Sequence, residues 1–456
     1  MAIVRSAWAC AALFVCIATA AAQEQPPIQQ KGPFVFTKAD QEFLVKSSQM
    51  DRYFEEKGFV FSDRETTEYL NSVGQAVLPE GPAPENVVWR FRVLRDPMPN
   101  AFALANGSIY IHSGLLATLE NEAQLASVLA HEVTHVLNRH GYLENRGYRK
   151  KMVAIHILMA AGSAAGAAGG TAGNITSAIA NMIPSMVVAT IYGYSREHER
   201  DADTRAVLSL VEADYSAEEM INTFRLLQKS HEVQLEGEPV FYRSHPKLRE
   251  RIAYTTDLVN ANRPRTRHPK VEAERYGVFV ERVARHNVGL DILGGRARTA
   301  LAVARRLVTL NSKSSDNFHT LGEAWRALGP RTPEPTPEEV SSHGKKQTRK
   351  MVGKMTFQEY EDGLMATPEG KTAWEASRKE AEEAYRKALE LDPANAKAHR
   401  GLGFLYERAR LAPQCVEEFR KYLELSPGAP DRLQITRRLE AMEEQIVKQA
   451  TVPPAP

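Results

Sequence analysis

The pentapeptide His131-Glu132-Val133-Thr134-His135 sets two imidazoles and a carboxylate at a spacing that can do chemistry. On a helix, positions i and i+4 share a face. Both rings can therefore reach one ion at zinc–nitrogen distances of about 2.0–2.1 Å. Glu132 is one step along, turned by about 100°. It is poorly placed to join the ligand pair but well placed to face a water in an open fourth position. There it would serve as general base, while the zinc lowers the water's pKa and polarises a scissile carbonyl. The plainer use of two such histidines is a polar helix face. The context favours the site, because residues 121 to 139 have a helical pattern, with Leu125, Val128 and Leu129 ahead of the motif.

Three protein ligands leave one zinc position open. The third is expected in Ser195-Arg196-Glu197-His198-Glu199-Arg200-Asp201-Ala202-Asp203. Glu199 and Asp203 share a helical face, so Glu199 can bind the metal while Asp203 orients a liganding histidine. Spacing alone leaves Glu197 and Asp201 open, and a charged, solvated helix start is the bland alternative. His112 and His140 are read as structural.

The elements that must position these groups follow from patterning. Residues 38 to 80 show helical spacing, as in Tyr69, Val73 and Val77. Residues 87 to 94 and Ser108-Ile109-Tyr110-Ile111 read as strands, with Asn100-Ala101-Phe102-Ala103 between them. The second run is expected as an edge strand to which a peptide substrate adds by backbone hydrogen bonds; a strand simply paired within the sheet is the alternative. Residues 152 to 195 contain no Asp, Glu, Lys or Arg and carry Gly169-Gly170 near the middle. His131, His135 and Glu199 must meet at one ion, so this stretch has to return to its starting side, which excludes a single membrane crossing. A buried helical hairpin is the expectation; a lid or a hairpin touching a membrane surface is the sharper reading.

Beyond residue 263 an internal repeat appears. Phe318, Leu321, Gly322 and Trp325 have the spacing of the first helix of a tetratricopeptide unit, and His399, Leu402, Gly403 and Tyr406 repeat it. Cys415, Phe419 and Pro427 complete the second unit. Ala381, Tyr385, Ala388 and Pro393 close the preceding one, across an insertion at 330–375 whose Pro-rich, charged first part reads as disordered. Residues 297 to 310 fit the second helix of an earlier unit. Such repeats stack into surfaces that hold partner segments.

The 456 residues allow two or three domains, and 43% hydrophobic with 25% charged residues is ordinary for a globular protein. A formal net charge of +2 argues against a nucleic-acid binder. Arg5, the apolar run at residues 7 to 18 and Ala20-Ala21-Ala22 read as a cleaved secretory signal. The run is shorter than the roughly 20 residues of a spanning helix. Cys10 and Cys16 lie in that segment, so Cys415 would stand alone and no internal disulfide would form. One thiol in an exported chain fits the periplasm. The expected layout is a signal peptide at 1–22, a loose leader at 23–37, a zinc metallopeptidase domain at 38–262, helical repeats at 263–450 and a tail at 451–456. The fold class is α+β, mostly helical, with a small sheet, followed by an α-solenoid.

The HEVTHVLNRH helix, Asn100-Ala-Phe-Ala, the segment from Gly107 to Gly114 and REHERDAD make residues 60 to 260 resemble a gluzincin group. That group holds the heat-shock membrane peptidase and the prenyl-protein (CAAX) endopeptidase. The added repeats resemble a periplasmic branch of it. The resemblance implies one Zn2+ per chain on His131, His135 and Glu199, with Glu132 and Asp203 as catalytic residues. It implies unfolded or misassembled envelope proteins as substrates, a protein partner on the repeat surface and no nucleic acid. It also draws attention to His245 in Ser244-His245-Pro246, which in that branch approaches the zinc as a gate or fourth ligand; a histidine capping the next helix is the alternative. The insertion after residue 329 departs from the family pattern. The rival functions are a non-proteolytic assembly chaperone with a structural zinc and an integral membrane peptidase.

Overall fold

The computed structural model describes residues 34–150, 194–233, 248–262, 264, 266–333 and 357–450. The expected signal peptide, His245 and most of the apolar stretch 152–195 lie outside the described residues, as does the Pro-rich part of the insertion.

Instead of one helical run over 38 to 80, two helices form, α1 (Lys38–Glu56) and α2 (Arg64–Ala76). Asp63 caps α2 by accepting from the Thr66 backbone N–H at 2.9 Å, which fixes where the second helix starts. Three strands follow: β1 (Arg90–Leu94), β2 (Ala101–Ala103) and β3 (Ser108–His112), in the spatial order β1-β3-β2. β1 runs parallel to β3, with Phe91 opposite Ile109 and Val93 opposite Ile111. β2 runs antiparallel to β3, with Phe102 opposite Tyr110. Gly107, at φ 91°, makes the tight return between β2 and β3; a Cβ there would lie 2.7 Å from Val87 and 2.8 Å from the Val88 carbonyl.

The expectation of an edge strand at Ser108-Ile109-Tyr110-Ile111 is therefore corrected. β3 is the central strand, with both backbone edges paired and all five residues buried. Its polar side chains are committed as well. Asp51 of α1 accepts from Ser108 Oγ at 2.8 Å, Tyr110 Oη at 2.6 Å and Asn106 Nδ2 at 2.6 Å. Nothing on this strand is left for a peptide to pair with.

β3 leads into a short helix, α3 (Ser113–Thr118), and then α4 (Glu122–Leu137). Asn121 caps α4 by accepting from the Gln124 N–H at 2.9 Å. Every residue from Glu122 to Val136 is buried, as a helix apolar on nearly all sides requires. Around it pack α5 (Arg196–Glu212), α6 (Glu218–Val233) and α7 (Leu248–Ala261). Among the described residues no helix is long and apolar enough to cross a membrane.

Helices make up the rest of the described residues: α8 (Ala273–Leu293), α9 (Ala297–Leu310), α10 (Ser315–Leu328), α11 (Phe357–Met365), α12 (Pro368–Leu391), α13 (Ala396–Arg408), α14 (Ala412–Leu425) and α15 (Arg432–Ala450). Phe318 to Trp325 fall on α10, Ala381 to Ala388 on α12, His399 to Tyr406 on α13, and Cys415 and Phe419 on α14. The latter part of the insertion is helical, in α11 and the start of α12. The molecule is mostly helical with one small sheet.

Candidate metal centre

The buried helix α4 supplies His131 and His135 one turn apart. Their Nε2 atoms lie 3.0 Å from each other. Across from them the first turn of α5 brings in Glu199, capped into place by Ser195, whose Oγ accepts from the His198 N–H at 3.3 Å. A Glu199 carboxylate oxygen lies 3.4 Å from His135 Nε2, and the other lies 3.8 Å from His131 Nε2. Among the described residues these three are the group that could hold a metal ion. The donor set fits zinc. Tetrahedral ligands at about 2.0–2.1 Å from an ion sit about 3.3 Å from one another, and the three observed separations bracket that value. Burial keeps His135 well below the usual histidine pKa, which outweighs the pull of Glu199. It is therefore neutral, the form that binds metal.

Asp203 stands one turn beyond Glu199 on α5 and meets His131 Nδ1 at 2.8 Å. That contact puts the ring proton on Nδ1 and leaves Nε2 free to ligate. Burial alone would raise the Asp203 carboxyl, but the Arg251 charge and the His131 hydrogen bond hold it below its ordinary value. Arg251 comes from α7 and bridges both carboxylates: Nη1 reaches Glu199 at 2.9 Å, Nη2 and Nε reach Asp203 at 2.7 and 2.9 Å. Tyr254, one turn further on α7, also donates to Asp203. Burial, then the Asp203 charge, drives its pKa up, so it stays a phenol donor.

Glu132 is wholly buried on α4 beside the two histidines. Tyr194 stacks on the His135 ring with centroids 3.7 Å apart, and burial together with the charges of Glu132, Glu199 and Glu144 keeps it protonated. A cleft opens next to His135, lined by Ala103, Leu104 and Ala105 at the end of β2 and by Phe43, Arg139, Gly141, Tyr142 and Tyr194. The strand that reaches this cleft is β2, not β3.

Of the residues expected from sequence, His131, His135, Glu199, Asp203 and Glu132 come together. Ser108 to Ile111 do not, and His245 lies outside the described residues. Glu197 is exposed, and Asp201 pairs with His140 at 3.2 Å. His112 Nδ1 engages the Met98 carbonyl at 3.0 Å. Sequence reasoning missed Arg251, Tyr254, Tyr194 and the partners of His140. Their one available signal was the Arg251 charge within an otherwise amphipathic helix.

Fold and site together define a metallopeptidase-type α+β domain joined to an arm of helical repeats. Residues 64–259 match the model of Peptidase family M48, and residues 379–409 match that of the TPR repeat. Residues 64–259 are thus similar to an M48 peptidase domain, and a segment similar to a TPR repeat follows it. It is 26% identical over 255 residues to the putative beta-barrel assembly-enhancing protease of Vibrio cholerae, covering 55% of this chain and 50% of that one. It is 37% identical over 81 residues to the beta-barrel assembly-enhancing protease of Escherichia coli, covering 18% and 16%. To the mitochondrial metalloendopeptidase OMA1 of Schizosaccharomyces pombe it is 34% identical over 96 residues, covering 21% and 28%. The chain spans half or less of the length of these curated relatives, at 50%, 16% and 28%.

Proposed function

We propose that this chain is a zinc-dependent endopeptidase of the cell envelope, exported to the periplasm, that cleaves misfolded or stalled envelope proteins. One zinc per chain is held by His131, His135 and Glu199. The observation that carries the reading is the convergence of three buried ligand residues: the imidazole Nε2 atoms lie 3.0 Å apart and the two Glu199 carboxylate oxygens lie 3.4 and 3.8 Å from them, around the edge length of about 3.3 Å in a tetrahedral site. When bound, zinc acidifies water and polarises the scissile carbonyl.

The chain's own groups do the rest. Glu132 accepts a proton from the attacking water at its carboxylate and returns it to the leaving amine. Asp203 holds the His131 ring with its Nδ1 proton inward. Arg251 fixes the Glu199 and Asp203 carboxylates relative to each other. Substrate pairs with β2, an edge strand among the described residues, which adjoins the cleft beside His135. The repeat arm presents the substrate or a protein partner. The envelope assignment draws on the signal-like N-terminus and on similarity to the barrel-assembly proteases.

The test is Glu132→Gln against wild type on unfolded casein. Hydrolysis falls by about 10²–10⁴-fold, the usual contribution of a general base, while bound zinc stays at wild-type level. Equal cleavage by the two proteins would remove the protease reading and leave a non-proteolytic chaperone.

A further inference from the structure

We propose that His140 and Asp201 act as positioning residues, fixing His135 in the one tautomer whose Nε2 lone pair faces the ion. The inference rests on the metal-centre reading above.

His135 Nδ1 lies 2.9 Å from His140 Nδ1. Between two ring nitrogens at that distance, one carries the proton and the other the lone pair. His140 Nε2 in turn lies 3.2 Å from Asp201 Oδ2. Only one polarity satisfies both links and also leaves His135 Nε2 free to ligate. Asp201, an acceptor at both oxygens, requires the His140 proton on Nε2. His140 Nδ1 is then a lone pair, and His135 must place its proton on Nδ1 facing it. His135 Nε2 is left bare, pointing at His131 Nε2 and Glu199. The reverse polarity would set a lone pair of His140 against the Asp201 carboxylate and aim an N–H of His135 into the ligand cluster.

The support is itself held. Asn138, the residue that ends α4, donates to Asp201. His198 stacks on His140 with centroids 4.3 Å apart and is anchored by Glu144 at 2.7 Å. The two metal histidines are thus oriented differently: His131 directly by a carboxylate, His135 through a second imidazole.

The experiment measures Zn2+ dissociation constants of the full chain by chelator competition and melts the metal-free protein. His140→Ala weakens zinc by about 10–100-fold, as loss of an outer partner does. His140→Gln restores affinity to within a few-fold, because its amide oxygen accepts from His135 and its NH₂ donates to Asp201. Asp201→Leu weakens zinc similarly, and the double variant His140→Ala/Asp201→Leu is no weaker than the worse single, since the links act in series. If wild type binds no zinc, the metal-centre reading itself falls. If it binds zinc and His140→Ala binds as tightly, or Ala and Gln weaken it equally, the support by His140 is overturned. Should His140→Ala not fold, Asp201→Leu against Asp201→Asn reads the same chain: the asparagine keeps an acceptor and most of the affinity, and equal affinity in the two refutes the proposal.

Discussion

Arg251 is only 3% exposed, and its guanidinium lies between Glu199 and Asp203. Two buried carboxylates share this one buried cation. Removing the cation leaves charge uncompensated, a change worth about 3–5 kcal/mol for buried pairs. Arg251→Met is therefore expected to lower the melting temperature of the metal-free protein sharply. Zinc supplies positive charge at the same carboxylate, so saturating zinc recovers part of the loss. Calorimetry with and without zinc checks this, and equal losses in the two states would show that Arg251 does not serve the carboxylates. The same residue marks how far the site could be read in advance. His131, Glu132 and His135 were legible because one helical turn sets their geometry locally; Glu199 and Asp203 were legible as a pair sharing a helical face, but choosing them over Glu197 and Asp201 took the family resemblance. Arg251 was not, because it sits 48 residues from Asp203 and reaches it only when α7 packs on α5. His140 was legible as a residue but not as a partner. It follows Arg139, whose φ of 57° breaks the helix and swings the next ring back toward His135.

At the level of elements, close approach of backbones decides what each segment tolerates. Gly114 opens the short helix after β3, and a Cβ there would fall 2.0 Å from the Pro97 carbonyl oxygen and 2.4 Å from its carbon. These are backbone atoms and cannot swing away. Gly114→Ala is expected to destabilise by about 3 kcal/mol, the upper end for overpacking. Gly289 lies on the exposed side of α8, where a Cβ meets nothing within 4 Å. Gly289→Ala is expected to stabilise by about 0.5–1 kcal/mol through helix propensity. Urea unfolding of the two variants separates them by sign; a stabilised Gly114→Ala would contradict the packing around α3. In the arm, Glu323 of α10 accepts from Tyr385 of α12 at 2.6 Å and pairs with Arg326 at 2.5 Å. Burial opposes ionisation, but Arg326 outweighs it and holds Glu323 at about 2 instead of 4.5. The folded-state value is depressed, so this stabilisation is complete above about pH 4.5 and is lost as pH falls through about 2, amounting to at most about 3 kcal/mol. Glu323→Gln should flatten the acid limb of the arm's stability curve across that window; an unchanged limb would show the pair to be inert. Sheet order belongs to this scale too. Alternating and β-branched runs marked the strands, but nothing in a strand's own residues names its neighbours, and the three residues of β2 were too few to read. That is why β3 was expected at an edge and proved central.

Across the whole molecule, the peptidase match ends at residue 259 but the packing does not. α8, the helix after it, packs on α3 and α2. Tyr276 Oη donates to the Leu116 carbonyl at 2.7 Å, Ser113 Oγ to Asn287 at 2.8 Å, and Phe279 stacks on Tyr69 with centroids 4.0 Å apart. Arg306 of α9 donates to the Ala117 carbonyl at 2.8 Å. Arg275 reaches Glu122, the buried first residue of the metal-binding helix, at 3.1 Å, and the same carboxylate accepts from Tyr69 and Tyr215 at 2.5 and 2.7 Å. The start of α4 is therefore gripped by a helix that belongs, by sequence pattern, to the arm. A chain cut after residue 262 would expose Leu115 and Leu116 and leave Glu122 without its cation. It is expected to melt about 10 °C or more below a chain cut after residue 312, because several kcal/mol of burial are lost and each shifts Tm by about 2–4 °C in a domain of this size. Circular-dichroism melts of the two truncations decide it. Coincident melting would mean the catalytic helix stands without the arm, and the repeats could then move freely against it. Separate melting ties the repeat arm to the stability of the helix that carries His131 and His135.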